Sequence, residues 1–318
     1  MVYPSARIQY MKKISIIVPC FNEAEVIEKY YSAMTDMWER SGLSASYIPE
    51  FIFVNDGSDD GTGELIQALS DRDKNVRYTS FSRNFGKEAA IFCGLKQAEG
   101  DAVIVMDADL QHPPAAIPEM IHIWEEGFTI IEGKKRYRGR EKRSMGIMAR
   151  IFYALMSRIT GFDMSDSSDF KLIDRIAVDT LNSLSERATF FRALTYWIGY
   201  RSATFTYDVA ERAGGKSKWT GRSLSWYALV NLTSFTYAPL YLIGITGLII
   251  LLIGAGLGID AVISYIGGKS VGGYPSLVLL ITLATGGIMF NLGIIAVYIA
   301  KMYTELKNRP RYIIDRQK

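Results

Sequence analysis

The amino-acid sequence predicts an α/β domain with a mostly parallel sheet, followed by two membrane-spanning helices. Two observations predict this organisation. Short apolar strands alternate with helical segments over roughly the first 130 residues, and two long uncharged stretches lie near the C-terminus. With 49% hydrophobic residues, the 318-residue chain is also more apolar than most soluble proteins.

The predicted strands are short runs of apolar or β-branched residues, each followed by polar or turn residues. They are Ile14–Val18, Phe51–Val54, Val76–Ser80, Ala102–Met106 and Phe128–Ile131. Helical segments are expected at Glu23–Arg40, Thr62–Ser70 and Lys87–Ala98. A repeated strand, helix, strand pattern indicates a mostly parallel sheet with helices on both faces. Ligands bind outside the carboxyl ends of the strands in such sheets.

The two uncharged stretches are Leu240–Ile259 and Val271–Ala300, and each is long enough to cross a membrane as a helix. A pair of buried core helices is the alternative, but uninterrupted apolar sequence with Gly, Thr and a single Asn suits lipid better. The segment 301–318 carries six Lys or Arg and two acidic residues, whereas the connector 260–274 has one of each sign. The positive-inside rule therefore predicts that this tail and the N-terminal domain are both cytosolic.

Two further properties of the sequence fit a cytosolic domain, and a third bears on nucleic-acid binding. The N-terminal residues contain no sustained apolar run of the kind found in signal peptides. Cys20 and Cys93 are the only cysteines, which is typical of a reducing compartment. A net charge of +3 is too small to suggest binding to nucleic acid.

Polar motifs follow four of the predicted strands: PCFNE, NDGSDDGT, SRNFGKE and DADLQH. The first three also suit ordinary turns and helix caps. In the fourth, Asp107 and Asp109 carry like charges that point the same way on an extended chain, with Gln111 next on that face. Two carboxylates and an amide oxygen suit Mg²⁺ or Mn²⁺, which complete their ligand shells with water and substrate phosphates. The motif therefore predicts a metal that holds a diphosphate.

These motifs, in this order and spacing, resemble those of family 2 glycosyltransferases, which have the Rossmann-like GT-A fold. The chain resembles more closely the polyprenyl-phosphate glycosyltransferases, the group that includes bactoprenol glucosyltransferase and dolichyl-phosphate mannose synthase. The resemblance covers nearly all of the chain. It includes SDFKL at Ser168–Leu172, GGKSKW at Gly214–Trp219 and the terminal pair of apolar helices.

The resemblance implies a nucleotide-sugar site, a metal site and a catalytic carboxylate. The implied nucleotide-sugar site consists of Pro19, Cys20, Phe21, Asn22, Glu23, Asp56, Lys87, Asp107 and Ala108. Asp107, Asp109 and Gln111 would bind the Mg²⁺ or Mn²⁺. Asp169 matches the position of a catalytic base or of a carboxylate that orients the acceptor.

Basic residues accompany two segments that are expected to lie at the membrane surface. The first is a helix at about 144–160, for which packing on the sheet is an equal alternative, and the second covers 223–238. A lipid-phosphate acceptor must be held near such a surface, and guanidinium and ammonium groups offer phosphate charge-assisted hydrogen bonds. The candidates are Arg136, Arg138, Arg212 and Lys218. His112 and His122 lack the spacing of a metal site.

The expected function is the inverting transfer of a hexose, glucose or N-acetylglucosamine, from a UDP-sugar to undecaprenyl phosphate in the cytoplasmic membrane, for cell-envelope glycosylation. The expected division is a GT-A domain at 1–222, a juxtamembrane helix at 223–238, two transmembrane helices at 239–300 and a basic cytosolic tail at 301–318. The sequence leaves open whether the protein forms a homo-oligomer.

Two alternative functions remain. A processive family 2 polysaccharide synthase usually carries a Gln-x-x-Arg-Trp motif and more membrane helices, and the sequence has neither. A non-catalytic nucleotide-binding membrane scaffold would be marked by the loss of a metal ligand, and none is lost.

Overall fold

The computed structural model describes residues 11–136, 168–184, 190–208, 238–268 and 273–317. These residues form two compact units. The first unit contains residues 11–136, 168–184, 190–208 and 310–317, and the second unit contains residues 238–268 and 273–309. The expected surface helices at 144–160 and 223–238 lie outside the described residues, apart from Ala238.

A single eight-stranded sheet forms the centre of the first unit. Its strands are β1 (Lys12–Cys20), β2 (Tyr47–Asn55), β3 (Val76–Phe81), β4 (Ala102–Val105), β5 (Ile130–Lys135), β6 (Lys171–Asp174), β7 (Ser202–Tyr207) and β8 (Ile314–Gln317). The order across the sheet is β7-β5-β6-β4-β1-β2-β3-β8. The four adjacent strands β4, β1, β2 and β3 are parallel, as is the pair of β5 and β7. The predicted mostly parallel sheet is therefore confirmed.

The continuous apolar runs in the central strands follow from their burial on both faces. Ile14, Ile16, Ile17 and Val18 of β1 are fully buried, as are all four residues of β4. Helices cover the two faces, and this two-sided cover is why the strands do not alternate with polar residues. The helices of this unit are α1 (Ile27–Arg40), α2 (Thr62–Arg72), α3 (Lys87–Gln97), α4 (Ile117–Glu125), α5 (Arg175–Ser183) and α6 (Phe191–Trp197).

The second unit consists of two long helices, α7 (Ala238–Ile266) and α8 (Tyr274–Leu306). Each contains a segment that is long and apolar enough to cross a membrane, with mean hydropathy 2.2 in α7 and 1.8 in α8. Thr246 Oγ1 donates a hydrogen bond to Asn291 Oδ1 at 2.9 Å, which gives the single Asn a partner on the other helix. At Gly287, a Cβ atom would lie 2.2 Å from Ile250 Cδ1, so the glycine allows the helices to approach closely.

The residues that follow α8 return to the sheet of the first unit. Strand β8 pairs antiparallel with β3, and Ser82 N donates to Ile313 O at 3.0 Å. Tyr312 stacks on Phe81 with 4.8 Å between ring centroids, and Arg311 donates to Leu184 O at 3.0 Å. The sequence predicts only a basic tail here, because a four-residue strand flanked by charges carries little local signal. This strand covers the β3 edge beside the loop that begins at Ser82.

Candidate active site

Two loops at the carboxyl ends of β1 and β2 are joined by hydrogen bonds from main-chain N–H groups to side-chain oxygens. Asn22 N donates to Ser58 Oγ at 2.9 Å, and Asn22 Oδ1 accepts from Asp59 N at 3.0 Å. Glu23 N donates to Thr62 Oγ1 at 2.9 Å. Each loop therefore supplies hydrogen-bond partners for the other. We call these two loops, residues 21–26 and 56–61, the wall of loops.

Asp56 connects this wall to the loop after β3. The side chain is buried, and its two oxygens accept from Phe85 N at 2.6 Å and from Gly86 N at 2.8 Å. Burial raises the pKa of Asp56, although these two N–H groups favour the charged form. Gly57 has φ +65°, and a Cβ atom there would lie 2.3 Å from the carbonyl carbon of Arg83. Only glycine lets the two loops approach this closely.

Four charged side chains meet beside these loops. Lys87 Nζ, at the start of α3, lies 2.6 Å from Asp107 Oδ1 and 2.7 Å from Asp169 Oδ2. Arg192, on α6, donates to Asp169 through Nε to Oδ1 at 2.7 Å and through Nη2 to Oδ2 at 2.9 Å. We call Lys87, Asp107, Asp169 and Arg192 the charged cluster.

The antiparallel pairing of β6 with β4 brings Asp107 and Asp169 together. In this pairing Val105, the last residue of β4, lies opposite Lys171, the first residue of β6. The residues that follow β4 and those that precede β6 therefore emerge at the same edge of the sheet. This register explains how carboxylates 62 positions apart, at 107 and 169, come to share one lysine.

The groups of the charged cluster fix one another's protonation states. Burial alone would raise the pKa of Asp169, but Lys87 and Arg192 outweigh it and hold that pKa well below its usual range. Burial likewise opposes ionisation of Asp107, yet Lys87 lowers the pKa of this carboxyl. Burial would lower the pKa of Lys87, and the two carboxylates raise it instead. All three groups are therefore charged at neutral pH.

Lys87 and Asp107 are the most exposed members of the cluster, and Asp169 is the most buried. The side chain of Asp169 is 6% exposed, whereas those of Lys87 and Asp107 are 41% and 32% exposed. A substrate could therefore reach the lysine and Asp107 directly, while Asp169 lies behind them.

The turn after β4 is held by His112, which the sequence pattern left without a role. Asp107 N donates to His112 Nδ1 at 3.2 Å, and the buried imidazole stacks on Phe170 with 4.8 Å between centroids. Asp109 Oδ1 accepts from Gln111 N at 3.1 Å, and Leu110 has φ +59°. These contacts give the turn one defined conformation.

The donors in this turn fit a hard divalent cation. Asp107 and Asp109 supply carboxylate oxygens and Gln111 an amide oxygen, which are ligand types that Mg²⁺ and Mn²⁺ accept. Within the part of the chain that the structure describes, no group of three or more His, Cys, Asp or Glu side chains is placed to hold a metal. A metal bound here would therefore need further ligands from a nucleotide and water.

The remaining residues of the expected nucleotide-sugar site lie around this turn and the wall of loops. Pro19 and Cys20 end β1, Phe21 follows directly, and Ala108 belongs to the turn. The side chains of Cys20 and Ala108 are buried in the hydrophobic core. Burial also raises the pKa of the Cys20 thiol well above its usual value.

The expected acceptor residues are placed only in part. Arg136 follows β5, where its Nη2 donates to Thr206 Oγ1 at 3.0 Å and its Nη1 lies 3.7 Å from Asp208 Oδ2. Its side chain is largely exposed. Arg138, Arg212 and Lys218 lie outside the described residues.

Arg192 and Glu88 are site residues that the sequence reasoning missed. Arg192 is the single charged residue in the otherwise uncharged segment TFFRALTYW, and that isolation is the signal that could have revealed it. Glu88 is half-buried and accepts from Phe191 N at 2.8 Å, which anchors the start of α6. Both residues act through contacts with parts of the chain that are distant in sequence.

A comparison with known families supports the expected fold and activity. The family model described as glycosyl transferase family 2 matches residues 15–182. The chain belongs to glycosyl transferase family 2. This match confirms that the protein is a glycosyltransferase, and it covers the charged cluster except for Arg192.

Two relatives of this glycosyltransferase align with nearly all of it. It is 37% identical over 311 residues to the prophage bactoprenol glucosyl transferase homolog of Escherichia coli strain K12, covering 96% of this chain and 99% of that protein. It is 38% identical over 311 residues to the bactoprenol glucosyl transferase of Shigella phage SfV, with the same coverage.

A solved structure confirms the GT-A fold of this glycosyltransferase. Glucosyl-3-phosphoglycerate synthase from Mycobacterium tuberculosis, in complex with Mn²⁺, UDP and phosphoglyceric acid, matches with a TM-score of 0.50 and 21% identity. The match covers 68% of this chain and 75% of that chain. At this identity the similarity concerns the fold.

We expect the stability of the first unit to depend on pH through Glu88. Burial, followed by the Asp169 carboxylate, raises the pKa of Glu88 to about 7, whereas an unfolded glutamate has a pKa of about 4.3. The folded state binds this proton more tightly than the unfolded state. Its contribution to stability is therefore complete below about pH 4 and is lost as the pH rises through about 7.

The variant Glu88→Gln should remove this dependence, because glutamine is neutral and still accepts from Phe191 N. Its thermal midpoint of unfolding should change less than that of the wild type between about pH 5 and pH 8. The matched control is Glu64→Gln, which alters an exposed glutamate of α2 and should keep the wild-type slope. A wild-type slope in the Glu88 variant would contradict the expectation.

Proposed function

We propose that this glycosyltransferase transfers a hexose, glucose or N-acetylglucosamine, from a UDP-sugar to undecaprenyl phosphate with inversion at the anomeric carbon. One observation carries the proposal: Lys87 and Arg192 hold Asp169 beside Asp107 at the carboxyl ends of the strands. Two cations thus stand next to the residues expected to hold the donor diphosphate.

The comparisons support the choice of substrates. Two relatives that match 96% of this chain are named as bactoprenol glucosyl transferases or their homologue. The mycobacterial enzyme of similar fold holds UDP and Mn²⁺. A lipid-linked phosphate acceptor and a UDP-sugar donor are therefore proposed together.

The donor side of the site consists of the wall of loops and the turn after β4. The main chain of residues 19–23, with Asp56 behind it, would border the nucleotide, and Lys87 would contact the diphosphate. Asp107, Asp109 and Gln111 would hold Mg²⁺ or Mn²⁺, and such an ion neutralises charge on the departing UDP. Asp109 is buried and accepts a hydrogen bond from Gln111 N, so the turn itself orients this carboxylate.

The acceptor needs no strong base. A phosphate monoester has a second pKa of about 6, so undecaprenyl phosphate is mostly deprotonated in the cytosol. One of its oxygens forms a bond to the anomeric carbon while the bond from that carbon to the UDP oxygen breaks, and the electron pair of that bond leaves with UDP. The strongly lowered pKa of Asp169 fits a role in orientation rather than proton abstraction. Arg136, Arg138, Arg212 and Lys218 are proposed to hold the acceptor phosphate.

The proposal predicts a lipid-linked monosaccharide as the product. Purified protein incubated with undecaprenyl phosphate and a panel of labelled UDP- and GDP-sugars should convert one UDP-hexose, and mass spectrometry should find a single hexose on the lipid. A growing polymer would identify a processive synthase instead. Metal-dependent UDP binding without any turnover would favour the scaffold, and a product formed only from a GDP-sugar would overturn the proposed donor.

The proposed metal site predicts the effect of Asp109→Asn. Asparagine can still accept from Gln111 N, so the thermal midpoint should stay near that of the wild type. Turnover should be lost, and metal-dependent UDP affinity measured by calorimetry should fall roughly tenfold or more. The control Asp36→Asn alters an exposed carboxylate of α1, outside these loops, and should leave both unchanged. Full wild-type activity in excess chelator would refute the metal site.

The membrane orientation that we propose places both the first unit and the chain after α8 on the cytosolic side, with the two helices crossing the cytoplasmic membrane. A membrane-impermeant thiol reagent should label Gly267→Cys from outside intact cells and Arg309→Cys only after lysis. The native Cys20 and Cys93 are buried, so their background should be small. Labelling of both positions from one side would contradict a two-span arrangement.

A further inference from the structure

A buried ion pair lies behind Asp169, and the proposed chemistry does not use it. Lys171 Nζ lies 2.6 Å from Glu132 Oε1, and the two side chains are 1% and 3% exposed. The same Glu132 oxygen accepts from Ser168 N at 3.2 Å, and Oε2 accepts from the Tyr196 hydroxyl. The lysine also lies over the Tyr196 ring, 4.9 Å from its centroid. Glu132, on β5, thus contacts both the segment 168–171 and α6.

Stability alone does not account for such a pair. Removing two charges from water costs free energy that their attraction only partly restores, and apolar residues of similar size often stabilise a core as well or better. What an ion pair adds is direction, because each hydrogen bond requires a particular donor in a particular place. The role of the pair therefore lies in the elements of the chain that it positions.

The first positioned element is the segment that carries Asp169. Its preceding residue, Ser168, is held by Glu132 through the main chain, and Ser168 Oγ donates to Gly133 O at 2.5 Å. On the other side of Asp169, Phe170 O accepts from Gly133 N at 2.9 Å. The residues on both sides of Asp169 are thus hydrogen-bonded to β5.

The second positioned element is α6, which carries Arg192. Tyr196 follows Arg192 by four residues, so the two side chains lie on the same face of the helix. The Tyr196 hydroxyl reaches Glu132 while the Arg192 guanidinium reaches Asp169 through two hydrogen bonds. Glu132 and Asp169 therefore hold the same helix at adjacent turns.

We propose that Glu132 is a positioning residue that sets the placement of Arg192 relative to Asp169 for glycosyl transfer. It acts through Ser168 on one side and Tyr196 on the other, and Lys171 donates a hydrogen bond to the same carboxylate. The inference rests on the proposed function, because Glu132 would preserve the alignment of the acceptor with the donor sugar. Displacements of about 1 Å at such a site can lower a rate by roughly a hundredfold.

The variant Tyr196→Phe tests this with the smallest change. It removes one hydroxyl and keeps both the ring over Lys171 and the ion pair. We expect kcat with the lipid acceptor to fall about tenfold, as for one misplaced positioning contact, with KM for the UDP-sugar and the thermal midpoint close to wild type. The control Tyr200→Phe removes a hydroxyl from the same small cavity, where it pairs with Thr180 Oγ1 at 2.9 Å, and should leave kcat unchanged.

A double-mutant cycle separates positioning from general damage. If Tyr196 acts through Arg192, then Tyr196→Phe should have little further effect in an Arg192→Lys background. Equal losses in the Tyr196 and Tyr200 variants, or a full additional loss in the Arg192→Lys background, would overturn the proposal.

Amide hydrogen exchange supplies a readout that needs no substrate. The peptide that spans residues 168–171 should exchange faster in Tyr196→Phe than in Tyr200→Phe or the wild type, because Glu132 loses one of its fixed partners. The double variant Glu132→Gln with Lys171→Met removes both charges together and should increase exchange further. Unchanged exchange at this peptide would refute the positioning role, whereas a wild type without lipid-linked product would refute the proposed function alone.

Discussion

The carboxylate of Asp169, buried between Lys87 and Arg192, is the contact on which the rest of the site depends. It joins α3, the segment before β6 and α6, which are far apart in sequence. A buried carboxylate without its cations would be strongly unfavourable, so each of the three elements stabilises the position of the other two. The chain's own contacts therefore hold these residues together. The positive groups of the site stay charged because the carboxylates raise the pKa of Lys87.

The sheet supplies the rigidity that this arrangement needs. Its central strands are buried on both faces, and the loops at their carboxyl ends are bonded to one another through main-chain groups. Asp56 is the clearest case, because both of its oxygens hold the loop that leads to Lys87. A loop fixed in this way loses little entropy when a nucleotide binds, which favours affinity.

Charge is distributed in two layers around Asp169. In front lie Lys87 and Asp107, which are accessible to substrate, and behind lies the ion pair of Glu132 and Lys171, which is sealed from water. The front layer can exchange partners when phosphate groups bind. The rear layer cannot exchange partners, because a buried group that loses a hydrogen-bond partner has no water to replace it. The difference in burial is the reason that we propose binding for the front layer and positioning for the rear layer.

Sequence alone determined the features that are local or periodic. Alternating apolar runs predicted the parallel sheet, and uncharged stretches predicted α7 and α8. Polar motifs at strand ends proposed Asp107 and Lys87 as site residues, and the family resemblance proposed Asp169. The sheet and the helices could be predicted because strand and helix patterns depend on neighbouring residues. The motifs did not reveal which of these side chains touch one another.

Only the tertiary structure decided the contacts between distant segments. Arg192, Glu132 and the edge strand β8 carry no motif, and each acquires its role from a partner at least 23 positions away, as Arg192 does from Asp169. The reversed direction of β6 is equally invisible in a strand of four residues, yet it brings Asp169 to Asp107. Burial and pairing arise when the chain folds back on itself, and no local pattern specifies them.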